Sequence, residues 1–288
     1  MSCRIVTIHT RHIRYLLIMM LAVSALAVIT AAACASDRSE GAATLRVFAA
    51  SSLTDVLTEV SEVFEAENEG VQIEMHFAGS SRLRAQLDEG AVADAFISAD
   101  PRHIDAIAHL LVDSSITTVA TNEMVVALSD SGRPIQSLED LAKPGVKIVI
   151  ALQDVPAGRY AHALIADMAQ QQGFPAEFDD AVLGNIVSEE TNVRAVLAKV
   201  QLGEADAGFV YQSDIRDTGL HSLIIPDQNP GDIAYVGALL RDSSHHDTAQ
   251  AFLGFLVSEA GQRILISHGF LSAEAFSINA GVAMAATP

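Results

Sequence analysis

The sequence predicts an α/β protein with mostly parallel sheets flanked by helices, and three observations carry this. Short apolar runs alternate with helical patterns along nearly the whole chain, the order that builds a mostly parallel sheet covered on both faces. Half of the residues are hydrophobic, enough for a sizeable core. A length of 288 residues suits roughly two domains of about 150 each.

The elements follow in order. "TLRVFAA" reads as a strand. Ser52 to Ala66 has Leu53, Val56, Leu57, Val60, Val63 and Phe64 apolar, the three-and-four spacing of an amphipathic helix. Residues 71–77 read as a strand and Ser80 to Glu89 as a helix. A strand over 94–99 precedes a helix that starts at Pro101 and carries Ile104, Ile107 and Leu111. Strands are expected over 123–129 and 147–152, then a helix from about Ala157 to Gln172. Asn192 to Leu202 reads as a helix, 206–211 and 234–240 as strands. Two helices, about 248–258 and 259–268, close the ordered pattern.

The N-terminus has a different composition. Arg4, Arg11 and Arg14 precede an apolar stretch from Tyr15 to Ala33 that ends in small residues before Cys34. A basic start, an apolar run and small residues describe a secretory signal over 1–33; a permanent transmembrane helix is the alternative. "TAAAC" resembles a bacterial lipobox, with Ala31 where that motif prefers Leu, and makes Cys34 the expected lipid anchor. Residues 34–44 then read as a lipid-anchored linker. The only other cysteine, Cys3, lies in the removed segment, so no disulfide framework is expected.

Charge and composition exclude one class of partner. The chain has 17 Lys and Arg against 36 Asp and Glu, a net −19. Removing 1–33 takes away three arginines and no acid, which leaves −22. Such a surface repels a phosphate backbone. With aromatics at 5% and no Trp, a base-stacking platform is not expected either, so no nucleic acid is a partner.

In parallel sheets, ligands bind where strands end and helices begin. Four such turns share a chemistry: Ser51-Ser52, Gly79-Ser80-Ser81, "VPAGRYA" at 155–161, and "ETNVRAVL" at 190–197. Tyr211, at the end of the strand "DAGFVY", is a fifth candidate. Each turn offers hydroxyls or unpaired backbone amides at a helix start, where the dipole favours an anion. Taken singly, each serine pair reads first as a helix cap, "VPAG" as a turn and Tyr211 as a half-buried core residue. Arg82, Arg84, Arg159 and Arg194 read as surface charges.

Catalytic signatures are missing. No G-x-S-x-G elbow surrounds Ser52 or Ser80, and there is no P-loop, H-E-x-x-H or C-x-x-C. His245-His246-Asp247 reads as a solvated turn rather than a metal site, because adjacent positions point different ways. No catalytic residue and no cofactor are expected.

The stretches "VFAASSLTDVL", "FAGSSRLRAQLDEGAVADAFISAD", "VPAGRYA", "NVRAVLAKVQLGEADAGFVYQSD" and "HGF" are similar, in order from about Leu45 to Phe270, to the molybdate-binding proteins of bacterial ABC transporters. The resemblance implies a two-lobed periplasmic-binding-protein fold with an anion in the cleft and two hinge crossings. Lobe one would be 45–122 plus 236–288 and lobe two 123–235, with crossings near Asn122–Val126 and Ala234–Val236. Carried over position by position, the ligand contacts fall on the Ser52 and Ser80 hydroxyls, the Ala157 and Val193 amides and the Tyr211 hydroxyl. These five would hold the oxygens of molybdate or tungstate, not a bare cation. The sequence departs from its relatives at Ser51, where they commonly have Ala, and at Arg82 after the serine pair.

The implied function is capture of the oxyanion by an extracytoplasmic lipoprotein and its delivery to a membrane permease and, through that, its ATPase. A monomer is expected, located in the periplasm or on the outer face of the cytoplasmic membrane. Molybdate at neutral pH carries no proton and only accepts hydrogen bonds; monohydrogen phosphate also needs an acceptor, which hydroxyls and amides serve poorly. Five to seven charged hydrogen bonds at about 1.5–3 kcal/mol each, less desolvation and closure, leave roughly −8 to −12 kcal/mol. Two alternatives remain open: binding of sulfate or an organic acid, the latter expected to need an arginine fork, and a secreted enzyme with a base near Ser52 or Ser80.

Overall fold

The structure, a computed structural model, describes residues 43–131, 134–175, 177–229 and 231–273. The expected signal segment, the linker up to residue 42 and the anchor Cys34 lie outside the described residues.

The first half of the chain repeats one unit. Strand β1 (Ala43–Ala50) passes through a 3-10 turn, Ser51–Leu53, into α1 (Thr54–Glu67). β2 (Val71–Ala78) leads into α2 (Ser80–Asp88), and β3 (Ala95–Ser98) into α3 (Pro101–Ala106). β4 (Thr117–Asn122) then meets β5 (Met124–Leu128) across one residue. The second half continues with β6 (Ile148–Ala151), α4 (Pro156–Ala169), α5 (Phe178–Gly184), β7 (Ile186–Glu190) and α6 (Val193–Gln201). β8 (Ala207–Tyr211), α7 (Gln212–Ile215) and β9 (His221–Ile224) follow. β10 (Ile233–Leu239), α8 (His246–Val257) and α9 (Glu259–Ser267) complete the order.

These strands form two mixed five-stranded sheets, β2-β1-β3-β10-β4 and β7-β6-β8-β5-β9. β1 and β3 run parallel, as do β6, β7 and β8. β10 is antiparallel to both its neighbours, and β5 to both of its own. The exceptions have a topological cause: β5 and β10 are the strands by which the chain enters a sheet after crossing from the other, so they run away from the cleft. β3, β6, β8 and β10 are buried along their whole length, which explains their unbroken apolar runs.

The fold is the two-lobed architecture expected from sequence, with local differences. Sheet membership puts Ile233, Ala234 and Tyr235 with the first sheet, because they pair with β4; the expected boundary at 236 falls inside β10. The helix from Pro101 ends at Ala106 instead of reaching Leu111. Ile104, Ile107 and Leu111 are all buried as their spacing predicts, but Leu111 has left the helix to bridge Leu240. The expected helix through Gln172 ends at Ala169.

Candidate functional site

Every parallel strand that reaches the cleft ends in a turn, and these turns converge. One small cavity is lined by Ala50, Ser51 and Ser52 after β1, Gly79 and Ser80 after β2, and Ala99 after β3. From the other sheet come Val155, Pro156 and Ala157 after β6, Val193 after β7, and Tyr211 at the end of β8. All five candidates, Ser52, Ser80, Ala157, Val193 and Tyr211, therefore line a single cavity. Its volume is about 10 Å³, about what one water-sized sphere takes up and far below the roughly 300–1,000 Å³ of ordinary small-molecule pockets. An extended organic acid has no room in it.

Local sequence explains each position. Ser52 lies in the 3-10 turn rather than in the α-helix proper, and the Thr54 hydroxyl donates to the Ser51 carbonyl at 2.7 Å to fix that turn. Ser80 is the first residue of α2. Pro156 opens α4, where its missing N–H costs nothing, and so places the Ala157 amide in the unpaired first turn. Asn192 caps α6 by accepting from the Ala195 amide at 3.0 Å, which leaves the Val193 amide in the same unpaired position.

Two glycines permit the convergence. A Cβ on Gly79 would stand 2.5 Å from the Thr191 carbonyl oxygen, so the turn after β2 and the turn after β7 meet backbone to backbone. A Cβ on Gly158 would stand 2.2 Å from the Ala151 carbonyl oxygen, so only glycine lets α4 start this close to the end of β6.

The described residues that line the cavity bring no formal charge. Tyr211 is 1% exposed, and its hydroxyl is buried without a hydrogen-bond partner. Burial pushes its pKa well up, so it remains a proton donor. Ser52 and Ser80 are 4% and 1% exposed. The nearby arginines turn elsewhere. Arg159 Nε donates to Asp100 Oδ2 at 2.8 Å, and its guanidinium lies 4.0 Å over the Tyr160 ring. Arg194 pairs with Asp55 at 2.5 Å and with the buried Asp214 at 3.3 Å. Arg82 is exposed and Arg84 pairs with Asp88 on the outer face of α2. Among the described residues no arginine fork and no carboxylate line the cavity, which disfavours an organic acid and leaves Ser52 and Ser80 without a base there.

Asp214 stands behind Tyr211 and accepts its backbone N–H at 3.2 Å. Burial raises its pKa to about 7, against the opposing pull of Arg194. The histidine pair is engaged elsewhere: His245 faces Asp94 and His246 faces the Arg241 carbonyl. Among the described residues no cluster of three or more His, Cys, Asp or Glu is placed to hold a metal.

The sequence reading did not reach Asp55 and Asp100, which take the two arginines, or Tyr235 and Asn122, which stand behind Ser52. "SADPR" did carry one signal, an aspartate before Pro as a helix cap, and Asp100 indeed accepts the Arg102 amide.

A family model described as bacterial extracellular solute-binding protein matches residues 45–271. The Mycobacterium tuberculosis protein named molybdate-binding protein ModA is 36% identical over 260 residues, 86% of this chain and 95% of that one. The solved substrate-binding domain of a putative molybdenum ABC transporter from Clostridium difficile is 28% identical, with TM-score 0.59 over 80% of this chain and 99% of that one. The sulfate-binding protein SubI from M. tuberculosis shares the fold at 15% identity, with TM-score 0.70 over 83% of this chain and 91% of that one. Two sheets meeting at a small cavity, the span of the family match and the identity to full-length relatives together place this chain in the bacterial extracellular solute-binding protein family.

Proposed function

We propose that this chain captures molybdate or tungstate in the cleft between its two sheets and presents it to an ABC permease and its ATPase. One observation carries the reading: the unpartnered, buried Tyr211 hydroxyl opens on a cavity whose other polar groups are serine hydroxyls and helix-start amides from both sheets. A buried hydroxyl without a partner costs free energy until something accepts from it. A compact anion that only accepts hydrogen bonds satisfies all five groups at once. Because Ser52 and Ser80 belong to one lobe and Ala157, Val193 and Tyr211 to the other, the anion favours the form in which the lobes meet. Membership of a transport family and the absence of a base in the cavity argue against an enzyme.

Sulfate is also all-acceptor, and SubI shows that this fold serves a sulfate-binding protein. Calorimetry on the purified protein with molybdate, tungstate, sulfate and phosphate separates the readings. Molybdate and tungstate should bind with micromolar to nanomolar Kd and sulfate far more weakly. Absence of molybdate binding overturns the proposal; sulfate binding of equal strength replaces it with a sulfate carrier. As a monomer tethered outside the cytoplasmic membrane through Cys34, the protein would partition into detergent, and Cys34→Ser would release it. Among the described residues no helix is long and apolar enough to cross a membrane.

A further inference from the structure

Hydroxyl groups can donate or accept, so a cavity lined by serines is not by itself selective for unprotonated anions. The groups behind the two serines narrow that freedom. Ser52 Oγ lies 2.9 Å from the Tyr235 hydroxyl, both buried. The Tyr235 oxygen is in turn 3.5 Å from Asn122 Nδ2. The orientation of the Asn122 amide is dictated by its other contacts: its oxygen accepts the Glu123 N–H at 2.9 Å, and its nitrogen donates to Ser213 Oγ at 2.8 Å. Nδ2 can only donate, so the Tyr235 oxygen accepts, and the Tyr235 proton is directed to Ser52. If Ser52 turned its own proton back on Tyr235, the tyrosine proton would lose its acceptor in a fully buried place. Burial also holds the Tyr235 pKa well up, so that proton stays in place.

Ser80 arrives at the same state by a separate route. Its Oγ accepts the Ala99 amide N–H at 3.1 Å, and an amide nitrogen cannot reverse that direction. Each serine thus spends one of its two acceptor lone pairs on the group behind it, and both protons are left for the cavity.

We infer that Tyr235, held by Asn122, is a specificity-determining positioning residue that biases Ser52 towards donating and so disfavours oxyanions that carry a proton. The inference deepens the oxyanion reading above and rests on it. With Tyr235→Phe, Ser52 is free to rotate and accept from the P–O–H of monohydrogen phosphate. The ring and its packing against Tyr211 and Phe270 are retained.

The test is calorimetry at neutral pH with sodium molybdate and sodium phosphate on the wild type, Tyr235→Phe, Ser52→Ala and the double variant. Tyr235→Phe should weaken molybdate by about 3- to 10-fold and raise the phosphate-to-molybdate affinity ratio by roughly tenfold. In the Ser52→Ala background Tyr235→Phe should leave that ratio unchanged, because the effect passes through Ser52. Equal weakening of both anions by Tyr235→Phe reduces Tyr235 to packing and overturns the inference alone. A ratio change that persists without Ser52 overturns it too. Failure of the wild type to bind molybdate overturns the oxyanion reading itself. Asn122→Ala, which leaves the Tyr235 ring untouched, supplies the same ratio test if Tyr235→Phe folds poorly.

Discussion

The two walls of the cavity offer the same hydrogen-bond chemistry by different means. The first lobe contributes side-chain hydroxyls, Ser52 and Ser80, each driven from behind by another donor. The second contributes the backbone amides of Ala157 and Val193 at two helix starts, plus the unpartnered Tyr211 hydroxyl. Amides need no such arrangement, because their direction is set by the helix. The asymmetry extends to charge. Both ion pairs that cross the cleft among the described residues run from an arginine of the second lobe, Arg159 or Arg194, to a carboxylate of the first, Asp100 or Asp55. Each arginine lies in the first turn of a cavity-facing helix, so the cations that a helix start would repel are held by the opposite lobe. A neutral cavity is thus framed by charges that fasten its walls together.

This comparison can be broken from either side. The largest loss should follow Ser52→Ala with Ser80→Ala, which strips the first wall of its donors. At about 1.5–3 kcal/mol per charged hydrogen bond, affinity for the anion falls by roughly two to four orders of magnitude, and apo melting falls as well, because the Tyr235 hydroxyl and the Ala99 amide lose their buried acceptors. Titration calorimetry and a thermal scan read the two quantities separately.

Next comes Gly79→Ala, which touches no donor but sets a methyl group against the Thr191 carbonyl. Overpacking of this kind costs about 1–3 kcal/mol. The cost falls on the form in which the walls meet, so ligand affinity drops roughly 5- to 150-fold. An unchanged Kd would show that the walls need not approach this closely.

The second wall is backed by a buried carboxylate whose pKa burial raises. The Asp214 pKa is raised to about 7 when folded, from an ordinary value of 3.8. A raised acid holds its proton better in the folded state, so its contribution is present at low pH and declines as pH rises through about 7. The slope is at most about 1.4 kcal/mol per pH unit. His103 acts oppositely: burial lowers its pKa, so it favours folding as pH rises through the usual histidine range. The difference in melting temperature between wild type and Asp214→Asn isolates the carboxylate. It should shift toward the wild type on acidification from pH 7 to pH 5; a flat difference would contradict the assignment.

Asp100→Asn should act more weakly. It keeps a capping side chain for α3 but removes the charge that holds Arg159. The expected loss is about 1 kcal/mol, seen as faster ligand release in stopped flow and less pronounced at high salt. The smallest effect belongs to Arg82→Ala. Arg82 is exposed outside the cavity, and anion affinity should change less than about twofold.

Much of this was legible in the sequence because the same physics writes both. Strand ends followed by Ser, Pro-Ala-Gly or Asn-Val advertise unpaired amides, and convergence follows once alternating strands and helices imply parallel sheets. What stayed hidden was of two kinds. β4 (TTVATN) and β7 (IVSEE) are short and polar in part, and become strands through their neighbours, not through their own pattern. α5 follows Glu177, which is in a left-handed conformation and offers no capping side chain to announce the helix. Tyr235 and Asn122 were hidden because they lie 183 and 70 residues from Ser52 in the sequence and act on it only through space. Asp55 and Asp100 were hidden for the same reason, each pairing with an arginine far along the chain.

The position of β10 has a consequence for how the molecule is made. It lies inside the first sheet, between β3 and β4, yet among the described residues it is the last strand synthesised. The second sheet needs only residues from Met124 to Ile224, an uninterrupted stretch, whereas the first stays open by one strand until residue 239 has emerged. The closing contacts come later still, where Leu271 pairs with Thr121 on β4. A chain delivered amino-end first must therefore hold an unfinished sheet beside a finished one. Its two lobes differ in birth order: the one begun first is completed last.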